Sequence, residues 1–95
     1  MKNKSIFAGD DINVCYCCGR MGKMEEHHIF GSVACRSKSD KYGLLIHVCR
    51  ICHDKIHGKD GKELRDHLHA VGQQLYEERY GDREQFIQEF IRSYL

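Results

Sequence analysis

Three stretches decide how this chain is read: Cys15-Tyr-Cys-Cys18-Gly19, Glu25-Glu-His27-His28-Ile29-Phe30 and Cys49-Arg-Ile-Cys52-His53-Asp-Lys-Ile-His57. Two Cys-x-x-Cys pairs bracket a His-His dyad, and the second pair runs straight into His-x-x-x-His. The pattern predicts ligands for two different metal ions. Four thiolates suit a closed, structural zinc site, whereas three imidazoles without a fourth protein ligand leave a position open for water or substrate. One ion would hold the fold and the other would do chemistry.

The chain has 95 residues, so it reads as a single domain near the size at which a hydrophobic core alone is marginal and a metal staple helps. No apolar run approaches the roughly 18 residues of a membrane span, and Met1 to Ser5 lead into only a brief apolar patch. Neither a signal peptide nor a membrane segment is expected, and the protein is expected in the cytoplasm. In that compartment the six cysteines read as metal ligands rather than disulfides, which disfavours a redox or disulfide-framework protein. Cys17 and Cys35 are left as spare thiols.

A net charge of +1 excludes a bulk-basic nucleic-acid coat, but the charge is unevenly spread. Residues 36–62 carry seven basic against three acidic side chains, while residues 63–95 carry four against seven. The positive segment is the one that holds the second ligand cluster, where a phosphate backbone would be drawn. Arg36 and Lys38 are candidates for a phosphate contact.

The punctuation of the chain gives its elements. Ile12 and Val14 suit a short strand leading into Cys15-x-x-Cys18-Gly19, a zinc knuckle closed by a glycine that tolerates positive φ. Glu25 to Phe30 reads as a strand, Gly31 to Ser39 as a loop, and Tyr42 to Val48 as a second strand. A helix is expected from Cys49 to Gly58. Leu64, Leu68, Val71, Leu75, Tyr76 and Tyr80 form a helical stripe over 62–80, which Gly81 ends. Asp82 and Gln85 resemble a capping box for a last helix whose face is Phe86, Ile87, Phe90, Ile91 and Tyr94. The fold class is thus α+β: a metal-binding core over 11–60 and a two-helix extension over 61–95 that packs on it.

Helical geometry sharpens the ligand reading. At about 100° per residue, the Cys49/Cys52 pair and the His53/His57 pair point roughly a quarter-turn apart. One helix can therefore serve two ions. On a strand, neighbouring side chains face opposite ways, so His27 and His28 should not both ligate the same ion. One can bind metal while the other faces the substrate, free to take a proton. Phosphodiester hydrolysis needs that division, with a cation to neutralise charge and a neutral imidazole to deprotonate water. His47 lies on the second strand near the site and could support it, whereas His67 and His69 are expected to be exposed on the later helix.

Taken together, Cys-x-x-Cys, Glu-His-His-Ile and Cys-x-x-Cys-His-x-x-x-His resemble the HNH endonucleases of the ββα-metal (treble-clef, His-Me finger) class. More narrowly, Glu26-His-His-Ile-Phe-Gly31, Ser39-Asp-Lys-Tyr-Gly-Leu44 and the ending Asp82-Arg-Glu-Gln-Phe86 to Tyr94-Leu95 resemble small phage and prophage HNH-like proteins. The resemblance runs from about Val14 onward and implies a zinc-stabilised ββα-metal domain acting on DNA as an endonuclease or nickase. It implies structural zinc on Cys15, Cys18, Cys49 and Cys52. It also implies a second divalent metal (Mn, Ni, Zn, Co or Mg) on His27, His53 and His57, with His28 as the general base that activates water. The pattern departs at one point. Many members place an Asn on the second strand to orient the base, and here that neighbourhood reads Tyr42-Gly43-Leu44, so a backbone carbonyl or another side chain must hold it. The rival reading is a zinc-stabilised DNA- or protein-binding module without turnover, in which the histidines are vestigial or hold a second structural zinc that would be closed in and hard to strip.

Overall fold

All four residues of Leu45–Val48 are buried, because the strand they form is covered on both faces. In the computed structural model, which describes residues 3–95, this strand is β2. It pairs antiparallel with β1, Glu25–His28, in the register Glu25↔Val48, Glu26↔His47, His27↔Ile46 and His28↔Leu45. Ile46 and Val48 face the main hydrophobic cluster with Ile29, Phe30 and Ile56. Leu45 and His47 lie under the leader, where the Ser5 hydroxyl donates to the Leu45 carbonyl. There the Asp10 carboxylate accepts from the main-chain N–H of His47 at 2.8 Å and from its ring at 2.7 Å.

Four helices complete the order β1, α1 (Arg36–Tyr42), β2, α2 (Arg50–His57), α3 (Lys62–Arg79) and α4 (Arg83–Phe90). Among the described residues the architecture is a small α+β arrangement of a two-stranded sheet and four helices. No helix among the described residues is long and apolar enough to cross a membrane.

Helix α1 corrects the expected loop over Gly31–Ser39 and the expected strand start at Tyr42. Its sequence Arg-Ser-Lys-Ser-Asp-Lys-Tyr buries only Ser39, so it carries no apolar stripe to betray it. Ser39 is wholly buried, and its hydroxyl donates to the Phe30 carbonyl at 3.0 Å and accepts from the Phe30 N–H at 3.1 Å. Gly43, at φ 72°, ends the helix in the left-handed region. A Cβ there would run into the Lys4 carbonyl, so glycine is required twice over. Lys38 is also accounted for: its ammonium donates to the Glu89 carbonyl at 2.8 Å.

The expected strand at Ile12 and Val14 is reduced to isolated bridges, Asp11↔Val14 and Val14↔Met21. The capping box of α4 is present, with Asp82 accepting from the Gln85 N–H and Gln85 accepting from the Asp82 N–H. Phe86 and Phe90, one turn apart, are buried, and Tyr94, beyond the helix end, packs against them. Ile87 and Ile91, also expected on that face, sit at its solvent rim, and Ile91 is 67% exposed. The chain leaves the helix there, with Ile91 itself at φ 82°.

Candidate functional site

The knuckle and the start of α2 bring Cys15, Cys18, Cys49 and Cys52 together, with all four sulfurs within 4.8 Å of one another. Gly19, at φ 79°, closes the knuckle by donating its N–H to the Cys15 carbonyl at 2.9 Å. Cys49 is the N-cap of α2, so the first turn offers its amides to sulfur. The Cys18 N–H points at Cys15 Sγ and the Cys52 N–H at Cys49 Sγ, each at 3.5 Å. Burial pushes the Cys15 thiol up, but the amides of Cys49, Cys18 and Cys17 outweigh it and bring it down to about 6. The Cys52 amide likewise lowers Cys49. Burial and the neighbouring sulfurs push Cys52 up. Thiolates crowded with no cation beside them repel, and a soft divalent ion such as zinc relieves that. Cys17 is exposed and outside the cluster, and Cys35 is buried at the start of α1.

The adjacent face of α2 carries His53 and His57 to His27 on β1. One ring nitrogen from each lies within 4.8 Å of the others, and the ring centroids form a near-equilateral triangle of 5.3, 5.2 and 5.0 Å. The Glu25 carboxylate accepts from His53 Nδ1 at 2.7 Å, which leaves Nε2 as the metal-competent nitrogen. That bond, with Arg50 adding to it, holds the Glu25 carboxyl below its usual range. Burial, then repulsion from the other two imidazoles, pushes His27 down to about 4, and burial with His53 and Arg65 lowers His57. Both are therefore neutral near pH 7, as metal ligands must be.

His28 points to the other side of β1, as strand alternation requires. Its Nε2 lies 3.4 Å from Asp40 Oδ1, and Asp40 is in turn ion-paired with Lys4. Lys4 first, then His28, holds the Asp40 carboxyl below its usual range despite some burial. A Glu26 carboxylate oxygen lies within 4.8 Å of a His28 ring nitrogen and an Asp40 carboxylate oxygen, so the side chains beside the His28 ring come from β1 and from Asp40 on α1, not from Gly43-Leu44. A cavity of about 150 Å³ opens between the two histidine faces, lined by His27, His28, His57, Arg65 and His69 among others. A larger groove of about 630 Å³ along α2 and the start of α3, lined by Ile51, Leu64 and Lys55, touches neither cluster.

Two histidines sit differently from expectation. His47 occupies the face of β2 opposite Ile46, bound to Asp10, and so cannot support the imidazole triangle. His69 is not exposed on α3: it stacks on Phe30 at 5.4 Å and packs against Tyr94 at 4.5 Å. His67 is exposed, as expected. Sequence reasoning missed Glu25, Asp40, Arg65 and His69. Glu25 was the most recoverable, since a residue two before His27 shares its strand face. Comparison of the chain with protein-family models, with curated proteins and with solved structures finds no match.

Proposed function

We propose that the chain is a divalent-metal-dependent DNA endonuclease or nickase of the HNH kind, with β1, β2 and α2 as a ββα-metal, treble-clef core. The observation that carries this reading is that His28 shares a cleft with an imidazole triangle without belonging to it. His28 sits on the opposite strand face, beside Asp40, yet lines the same cavity as His27 and His57. A binding module with a second structural ion has no use for that arrangement.

In this reading Cys15, Cys18, Cys49 and Cys52 hold zinc, and His27, His53 and His57 hold the second ion. That ion, when bound, supplies charge neutralisation at the phosphate and stabilisation of the leaving oxygen. The protein's own groups do the rest. His28, oriented by Asp40, takes the proton from a water that attacks phosphorus, and the P–O bond to the departing sugar breaks. Glu25 keeps the His53 ring in one tautomer and one orientation. Arg36, Arg50, Lys55, Lys59 and Lys62 are exposed around the core, and their charge supports a DNA backbone as the partner. The test is conversion of supercoiled plasmid to nicked circles with Mn, Ni, Co, Zn or Mg. Cleavage should stop under chelation and weaken steeply with salt. His28→Ala should abolish it without loss of bound metal. DNA binding with no cleavage of any DNA form would replace this reading with the non-catalytic module.

A further inference from the structure

We propose that Arg65, on the helical extension, is a phosphate-binding residue that grips a non-bridging oxygen of the phosphodiester; the proposal rests on the nuclease reading above. Arg65, His69 and Gly72 recur on one stripe of α3. At Gly72 the helix lies so close to the end of the sheet that a Cβ would be 3.1 Å from Ile29 Cγ2 and 3.2 Å from Phe30 Cε2. That approach carries Arg65 and His69 into the wall of the histidine cleft. The guanidinium is fixed there: Nη1 donates to the Ile56 carbonyl at 2.6 Å and the Gly58 carbonyl at 2.9 Å, at the end of α2. No acidic side chain pairs with it among the described residues, and its Nε and Nη2 donors have no hydrogen-bond partner there. Among the described residues Arg65 is also the only arginine or lysine lining the cleft, and no carboxylate among them lines it.

A guanidinium never loses its charge near neutral pH, and it presents donors in a rigid fork that matches phosphate oxygens. Anchoring one nitrogen on two carbonyls leaves the remaining donors oriented before the ligand arrives, so little freedom is lost on binding. The cavity of about 150 Å³ leaves room for a phosphate group against the guanidinium. The helical extension is therefore a wall of the site and not an appendage to it.

The test separates anchoring from phosphate binding. Arg65→Ala loses both, so its melting temperature and its cleavage should both fall. Arg65→Lys retains one donor head that can satisfy the α2 carbonyls but cannot bridge to phosphate at the same time. It should melt near wild type, keep its metal, and still cleave with kcat/KM lower by about 10–100-fold. Arg65→Lys cleaving at the wild-type rate would overturn the proposal. A second readout does not need turnover: in zinc-loaded, ¹⁵N-arginine-labelled protein, thymidylyl-thymidine, a diester without a terminal phosphate, should shift the Arg65 Nε–H resonance to saturation. If wild type fails to cut DNA, the nuclease reading falls and this titration alone decides; an unmoved Arg65 resonance overturns the phosphate site.

Discussion

Removing the sulfur cluster's ion should unfold this chain, and the structure sets the scale. Cys15 and Cys18 belong to a knuckle whose main-chain tie to the sheet is the Tyr16 N–H to the His47 carbonyl at 2.8 Å. Cys49 and Cys52 begin α2, and Cys15, Cys49 and Cys52 lie inside the same buried cluster as Ile46, Val48 and Ile56. An ion on the four sulfurs thus joins the leader, the sheet and the helix at one point. Structural zinc in small domains binds with about 10–16 kcal/mol, against a typical total stability of about 5–15 kcal/mol. Full removal should therefore unfold the chain. Cys49→Ser, which forfeits one ligand of four, should cost about 2.5–4 kcal/mol if that energy divides evenly. At about 4–8 °C per kcal/mol for a domain of this size, the melting temperature should drop by about 10–30 °C. The assays are elemental analysis, which should find about one tightly held zinc per chain, and thermal melting followed by circular dichroism. Metal-free protein that melts at the same temperature as the purified form would show that no ion on the four sulfurs holds the fold.

Two further outcomes follow from individual contacts. Asp40→Ala should lower cleavage about 10–100-fold through loss of an oriented base. Its melting temperature should barely change, because the ion pair with Lys4 is exposed and worth about 0–1 kcal/mol; unchanged turnover would remove Asp40 from the site. The Glu89 carboxylate accepts from the hydroxyls of Tyr42 and Tyr76, each at 2.7 Å. It pushes the Tyr42 hydroxyl up to about 12 from its ordinary 10.0, so this contribution to stability is full below pH 10 and lost as pH rises through about 12. Burial raises the Glu89 carboxyl, but the two hydroxyls outweigh it and hold it below its ordinary 4.5, so on the acid side stability is lost as pH falls below that value. Urea melts across pH should show both losses shrinking in Glu89→Gln; equal slopes in variant and wild type would contradict the assignment.

The grouping of the four sulfurs and of the three imidazoles was legible because it depends on two local periods. The quarter-turn between Cys49/Cys52 and His53/His57 on a helix, and the alternation of His27 and His28 on a strand, hold wherever those elements form. The α3 stripe and the Asp82–Gln85 capping box were legible for the same reason. Helix α1 was not, since seven residues with one buried serine carry no hydrophobic period, and the Asp40 side chain beside His28 was hidden with it. His47 and His69 show the other gap. Which face of β2 meets α2, and which side of α3 meets Phe30, is set by strand register and by the close approach at Gly72. Those are long-range facts that no window of sequence contains.

The proposed division of labour, His28 as a base beside a metal held by other residues, is tested by a plasmid-nicking time course of wild type and His28→Ala, both loaded with Mn or Ni and both analysed for bound metal. Wild type should give nicked circles, His28→Ala none, and the two proteins should hold equal metal. Equal nicking by both proteins, or loss of the second metal in His28→Ala, would show that His28 is not that base.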